Sequence, residues 1–529
     1  MLWLRSRPAD LRSARGLAGR IGPSATAIWL LAAAALALLV IFDLSPPLAF
    51  NDDWMYAWSV RQLAGGHGLR LFPESTAMAI VQVFWGTVFT LGHPDVRLLR
   101  LSLVPAIAVT AWCSYRLARR LGADPFWGAV AACTLLTMPL AMANATSFMS
   151  ETLYIALVMA IAVAALEWLT RGRWRWLCVG LLVLAPLQRQ LGLAMIPAVT
   201  VVLIAARRRS LSRGDFMALV ASWVFPPSVA LAASRVAMSQ AVYPAPDLAR
   251  LDVGHALFPL MPMLGLGLIP YTAALAFRPR EVGESPWSIT AAALAVVGAA
   301  GCLVDLARFG MVFPGNVLSP LGFAAILGGD KPQVFPGAVF RALEVAAVVT
   351  FVVALVMRRR AWAPPRLQPE GALLLVIGAA QFVPLLAVSW FVYDRYYLPV
   401  LAPLVPLVAG VASRGLRQRV ARAWAAAALV SGLILYGVGE QDYLAWQSAR
   451  DRAAQLAYQQ APADQVQAGF EANAVYVELP RYERTGMADL FAILGPEQPQ
   501  IVLRYAGSSD PRPGVGYWSL ASGRIVISR

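Results

Sequence analysis

Apolar runs close to the ~20 residues that cross the hydrocarbon core of a bilayer recur along most of the chain, separated by short segments carrying Arg, Pro or Asp. The runs lie near 24–42, 96–115 and 126–143, then a fourth ends at Arg171 and a fifth and sixth meet near Gln188 to Gln190 and finish at Arg207 to Arg209. Others follow near 215–235, 256–277, 287–305, 337–357, 371–391, 397–412 and 423–439, which makes thirteen expected spans. Basic residues assign their sides, because short cytoplasmic loops retain Arg and Lys. Arg5, Arg7, Arg12, Arg15 and Arg20 precede the first run, and inner clusters fall at Arg116 with Arg119 and Arg120, at Arg171 with Arg173 and Arg175, and at Arg207 to Arg209. Arg278 with Arg280, Arg358 to Arg360 and Arg414 to Arg422 continue the alternation. The first run, Ala25 to Phe42, is long and lacks a convincing small-residue cleavage site, so it is expected to be a retained span.

An odd number of spans from a cytoplasmic N-terminus places residues 441–529 outside the membrane. That tail loses the long apolar runs. Asp442 to Gln460 has helical spacing, and Asn473 to Leu479, Gln500 to Tyr505 and Arg524 to Ser528 read as short strands. The expected architecture is an α-helical polytopic membrane domain over 1–440, with a long first outer loop at 43–95, and a small extracytoplasmic α+β domain over 441–529. Within that loop, Ala77 to Leu91 is half-apolar and is expected to lie along the interface or pack within the domain. No fixed-period repeat or extended low-complexity tract is evident.

Composition agrees with this pattern: 59% of the 529 residues are hydrophobic, 14% are charged and the mean hydropathy is +0.62. The net charge of +15 would suggest nucleic acid in a soluble protein, but here the Arg residues sit in the short loops and topology accounts for them. Lys331 is the one lysine. Cys113, Cys133, Cys178 and Cys302 fall in or beside apolar runs without metal-ligand spacing and read as small buried hydrophobes. His67, His93 and His255 are scattered, and no Gly-rich phosphate loop or Ser-His-Asp arrangement is present.

The strongest local signal is Phe50-Asn51-Asp52-Asp53-Trp54-Met55-Tyr56, two adjacent carboxylates among large aromatics just after the first span. Partly desolvated neighbouring carboxylates have raised pKa values, which suits general-base work on a hydroxyl or amine. A helix N-cap ahead of Trp54 to Val60 is the competing reading. Glu151 stands at the next outer turn, on the same side as Asp52, where a carboxylate stabilised by the helix dipole is the alternative. Arg189, between Gln188 and Gln190, and Arg395, in Tyr393-Asp394-Arg395-Tyr396-Tyr397, also fall on the outer side, against the trend. An Arg fork near carboxylates at an interface suits phosphate or pyrophosphate; for Arg395, a local pair with Asp394 or interface snorkelling is the other account.

With its acid pair at the start of the first outer loop, a second acid in the next one, about thirteen spans and an outer tail, the chain resembles the GT-C class of membrane glycosyltransferases. The likeness is to the family 39 branch, which includes protein O-mannosyltransferases and the lipid A aminoarabinose transferase. It implies that Asp52 corresponds to the first acid of the pair and is the catalytic base, with Asp53 replacing the usual Glu, and that Glu151 matches the second-loop acid, usually Asp. It further implies that Arg189 and Gln190, together with Arg395 and Tyr396, face the donor phosphate. The implied reaction is inverting transfer of a sugar from a polyprenyl-phosphate donor to a lipid, glycan or protein acceptor on the extracytoplasmic side of a bacterial inner membrane. No metal ligands are assigned; some relatives use a divalent metal and others do not, so a metal cofactor stays open, with independence the expectation. A transporter or flippase of lipid-linked saccharides would instead show internal repeats and mid-membrane ionisable residues. A non-enzymatic scaffold would tolerate replacement of Asp52, Asp53 and Glu151.

Overall fold

In hydrocarbon every backbone polar group must be bonded within its own segment, so long apolar runs have helix as their one open-chain solution. The computed structural model describes residues 23–42, 44–45, 52–73, 75, 77–207, 210–237, 253–276, 300–302, 313, 317–323, 331–361, 368–386, 393–414, 418–487, 495–496, 498–519 and 522–528. Eight described helices are long and apolar enough to cross a membrane, or up to ten if each of two bent pairs is one span. The chain is a multi-pass α-helical membrane protein. Two of the thirteen expected spans form shorter apolar helices, Ile28–Ile41 and Arg175–Gln188, within the described residues. The basic N-terminal stretch, Arg278, Arg280 and nearly all of the 287–305 span lie outside the described residues.

In chain order the helices that position the site are α1 (Pro23–Ile41), α2 (Asp53–Ala64), α3 (Ile80–Phe89), α4 (Val96–Leu101), α5 (Val104–Arg120), α6 (Pro125–Thr137), α7 (Pro139–Ala145), α8 (Ser150–Arg171) and α9 (Arg175–Gln188). They are followed by α10 (Met195–Arg207), α11 (Arg213–Ala237), α12 (Val253–Leu268), α13 (Gly337–Ala361), α14 (Pro369–Leu386), α15 (Leu398–Leu401), α16 (Leu404–Ala412) and α17 (Gln418–Tyr458). Helix α8 is the centre of the bundle, buried along almost its whole length. The two bent pairs break at prolines. Met138, forced toward extended backbone by Pro139, turns α6 into α7 by 62°, and the segment Asp394–Leu401 meets α16 at 55° beside Pro403.

The last expected span and the expected tail helix are one helix of 41 residues, α17. After Gly439 the sequence to Tyr458 contains neither Gly nor Pro, so composition changes from apolar to amphipathic without anything to stop the helix. The expected boundary at 440/441 therefore falls inside an unbroken element. Beyond it, Asn473 to Leu479 is not a strand: α18 (Phe470–Asn473), a π turn at Ala474–Glu478 and α19 (Leu479–Thr485) make it helical. Its alternating Val475 and Val477 mimic a strand, but the buried Arg450–Glu471 ion pair (2.7 Å) fastens the start of the segment to α17. The other two expected strands form. Strands β1 (Leu318–Ser319) and β2 (Gly322–Phe323) make a short antiparallel hairpin, and the tail carries a sheet of β3 (Val466–Gln467), β4 (Ile501–Gly507), β5 (Gly514–Tyr517) and β6 (Gly523–Ser528) in the order β3-β4-β6-β5. Only the β3–β4 pairing is parallel; Leu503 pairs with Ile527 and Val515 with Ile525 in the antiparallel ladders.

The expected first loop carries two helices, α2 and α3, which match the aromatic run and the half-apolar stretch. Trp54 and Trp58 on α2 meet Phe72 edge-on at 4.7 and 5.5 Å, and Phe72 lies 4.7 Å from Tyr482 on α19. Trp58 Nε1 donates to Glu483 (3.2 Å), so loop and tail close over the same end of the bundle.

Without a hydrophobic driving force between helices in lipid, close packing depends on small residues. Gly265 of α12 lies directly against the backbone carbonyl of Ala347 in α13, where an added Cβ would collide. Gly265→Val is therefore expected to lower stability by roughly 1–3 kcal/mol through overpacking, read as a fall in the thermal unfolding midpoint in detergent, with Gly180→Ala, where a Cβ meets open space, as the neutral control.

Candidate functional site

Helix α2 starts at Asp53, which puts Asp52 at its N-cap, yet Asp52 has φ −91° and ψ 3° and its side chain makes no capping bond. The carboxylate turns to Arg395, with Oδ2 3.1 Å from Nη2. Asp53, one residue further around the helix, diverges from it. Its Oδ2 accepts from Arg100 Nε (3.3 Å) and from the Phe148 amide (3.2 Å), and Arg100 also donates to the Leu44 carbonyl (2.8 Å). Asp53 thus ties α2 to α4, to the end of the first span and to the turn before α8.

Glu151 sits in the first turn of α8, 1% exposed. Arg189 Nη1 lies 2.6 Å from its Oε1, and Arg395 Nε lies 3.2 Å from the same oxygen. Arg189 also donates to Ser150 Oγ (3.2 Å). Tyr396 faces both cations, its ring 5.1 Å from the Arg189 guanidinium carbon and 5.4 Å from that of Arg395, while Tyr393 covers Arg395 at 5.4 Å. Asp52, Glu151, Arg189, Arg395 and Tyr396, widely separated in sequence, are brought together at one end of the bundle. Gln190 is exposed at the start of the following 3₁₀ turn, Gln190–Ala194.

The backbone explains how Arg189 reaches inward. Pro186 perturbs the last turn of α9, Arg189 itself is extended (φ −146°, ψ 136°), and Gly192 lets the 3₁₀ turn fold onto the Ala185–Pro186 backbone, where a Cβ would not fit. Gln188 fixes this turn from behind. It is fully buried, donates to Gln82 Oε1 (2.8 Å) and to the Ser150 carbonyl (2.9 Å), and accepts from the Gln82 amide (3.0 Å). Gln82 in turn donates to the Phe148 carbonyl (2.6 Å), joining α3 to the turn before α8. The expectation fell on Gln190, which is exposed, whereas Gln188 is the buried member of the pair. A polar Gln82 inside the apolar run Ile80–Phe89 was the signal that could have exposed this network.

Asp394 does more than offer Arg395 a local partner. Fully buried, it accepts from the Val317 and Leu318 amides (3.0 Å each) with Oδ2 and from the Arg395 amide (2.8 Å) with Oδ1.

Two carboxylates and two guanidiniums make the cluster formally neutral. Asp52 is its accessible member: its side chain is 14% exposed, against 2% for Glu151 and for Arg395. Burial pushes the Asp52 carboxyl above the ordinary range, Arg395 pulls it back, and the charge on Glu151 raises it again. Tyr56, beneath the cluster on α2, is pushed up to about 12 by burial and by the nearby Asp52 charge, and stays a neutral phenol. Such an assembly can take a proton at Asp52 and present guanidinium forks to an anion. Among the described residues, no group of three or more His, Cys, Asp or Glu side chains is placed to hold a metal ion.

No family model matches the chain, and no curated protein matches it. Among solved structures, it is similar to the crystal structure of ArnT from Cupriavidus metallidurans bound to undecaprenyl phosphate, with 14% identity and a TM-score of 0.39 over 94% of this chain and 97% of that one. The apo structure of the same protein gives 13% identity and a TM-score of 0.40 over the same shares.

Removing one partner of a buried ion pair strands the others. Glu151→Gln leaves two buried guanidiniums short of charge and is expected to cost roughly 3–5 kcal/mol, whereas Asp52→Asn, at the accessible edge, is expected to cost less than about 1.5 kcal/mol. Unfolding midpoints of the two purified variants check the order.

Proposed function

We propose that the chain is a glycosyltransferase that moves a sugar from a polyprenyl-phosphate donor to an acceptor hydroxyl or amine on the extracytoplasmic side of a bacterial inner membrane. The observation that carries the reading is the accessible Asp52 carboxylate held 3.1 Å from an almost wholly buried Arg395, with Glu151 and Arg189 completing a neutral cluster. The donor class follows from the resemblance of the acid pair and its surroundings to GT-C enzymes. The apolar bundle around the cluster suits a lipid-borne substrate.

In this reading Asp52 accepts the acceptor's proton as its oxygen or nitrogen attacks the anomeric carbon, and the bond from that carbon to the phosphate oxygen breaks with its electron pair going to the phosphate. The attack and departure occur on opposite faces, so configuration inverts. Charge is conserved within the site: the phosphate gains one negative charge as a phosphodiester becomes a monoester, and Asp52 loses one on protonation. Arg395 and Arg189 stay charged throughout, and their fixed orientation stabilises the developing phosphate charge without reorganisation. Glu151 holds the two guanidiniums at their spacing, and Tyr396 covers them. Gln190, exposed next to Arg189, is the further polar group assigned to the donor phosphate. Asp53, with Arg100, sets the direction of α2 and thereby of its neighbour, so the adjacent acids have separate tasks. The tail over the site end contributes to acceptor selection.

Transfer of radiolabelled sugar from a panel of polyprenyl-phosphate sugars in proteoliposomes tests the proposal. Asp52→Asn is expected to lower kcat by about 10²–10⁴-fold in folded protein, the usual weight of a general base. Loss of no donor from the wild type, with labelled lipid equilibrating across the bilayer in both proteins, would replace the transferase with a transporter.

The acid limb of the pH–rate profile supplies a second test. Transfer requires ionised Asp52, so activity falls as pH drops through its raised pKa, and the limb is expected above the ordinary Asp value of about 3.9. A limb at or below that value would contradict the assignment of the base.

A further inference from the structure

Arg395 is aimed by its own backbone, and that backbone is held from outside the cluster. Asp394 accepts two consecutive amides, Val317 and Leu318, from a segment 77 and 76 positions away in sequence, while its other oxygen takes the Arg395 amide. The amides it grips belong to the start of the β1–β2 hairpin, whose register is Leu318 to Phe323 and Ser319 to Gly322. The far side of this hairpin is anchored in turn. Phe323 is fully buried against Gly439 of α17, where a Cβ would leave it no room. Gly322 (φ +103°) brings the chain to Asp442 and Lys331 so closely that a Cβ would stand 3.1 Å from both Asp442 Oδ2 and Lys331 Nζ.

Lys331 itself is buried with its partner: Nζ lies 2.9 Å from Asp442 Oδ2, both side chains 1% exposed, and the ammonium sits 5.9 Å from the Trp446 ring and 5.5 Å from the Tyr505 ring of β4. Ser519, from the tail, donates to the other Asp442 oxygen (2.7 Å). A buried ion pair adds little stability over well-packed apolar residues, but removing one partner alone is costly, so Lys331 and Asp442 stay together against Gly322. The hairpin is therefore held at both faces: by Asp394 toward the cluster and by Lys331–Asp442 toward α17 and the tail sheet.

We propose that Asp394 and Lys331 are positioning residues that set the Arg395 guanidinium for the donor phosphate, Asp394 directly through the backbone and Lys331 through the β1–β2 hairpin. The inference rests on the reading of the cluster as a donor site. It makes the tail part of donor recognition as well as a cover over the site.

The test uses the full chain in proteoliposomes, titrating donor and acceptor separately against wild type, Asp394→Asn and the double variant Lys331→Met/Asp442→Asn. The double variant removes both charges together, so neither is left buried alone. Both variants are expected to raise the donor KM by roughly tenfold, as for one misaligned charge-assisted hydrogen bond, while the acceptor KM stays at its wild-type value. A donor KM equal to that of the wild type in both variants overturns the inference and leaves the transferase reading standing. So does a change that strikes donor and acceptor KM alike, or a failure of both variants to fold, since either would mark a general structural role. A wild type that consumes none of the donors removes the donor-site reading and this inference with it.

Discussion

The site is organised by one constraint: charges brought out of water must be matched where they stand. Arg395 and Glu151 are each 2% exposed in their side chains, and Arg189 is 9% exposed. Isolated, any of them would be strongly unfavourable at the end of an apolar bundle. Together with Asp52 they cancel, and the cancellation dictates much else: the break between α9 and the 3₁₀ turn, the Gln82–Gln188 bonds behind it, the tyrosine faces over the guanidiniums and the backbone clamp of Asp394. The same neutrality makes the cluster responsive. Protonating its one accessible member leaves the guanidiniums in excess, which favours an anion in contact with them.

Much of the membrane domain was legible because hydropathy answers to a single physical requirement, an apolar segment long enough to cross lipid with its backbone satisfied internally. The two bent pairs were written as continuous runs in hydropathy, and only Pro139 and Pro403 mark where they turn. In the tail the signals are weaker. Gln500 to Tyr505 and Arg524 to Ser528, expected as strands, fall within the paired strands Ile501–Gly507 and Gly523–Ser528, while Asn473 to Leu479 alternates just as well and is helical, because its neighbours in space decide the matter.

The cluster was legible in part for a similar reason. Arg189 and Arg395 are basic residues on the side the pattern forbids them, and Asp52 and Glu151 are acids in the two outer segments beside spans, so position brought them to notice. What could not be read was direction. Asp52 and Asp53 are equivalent in the sequence, and only the turn of α2 sends one to Arg395 and the other to Arg100. Gln188 and Gln190 flank the same arginine, yet the extended residue between them buries one and exposes the other. Roles that run through backbone amides, as for Asp394, leave no mark in residue type beyond the acid itself.

Helix α17 joins the membrane to the tail without a hinge. At about 1.5 Å per residue its 41 residues extend roughly 60 Å, about twice the thickness of the hydrocarbon core. A rod of that kind turns tilt within the bilayer into sideways travel at its far end. Bilayer thickness, which sets the tilt of spanning helices, is thereby mechanically connected to where the tail sheet stands over the site.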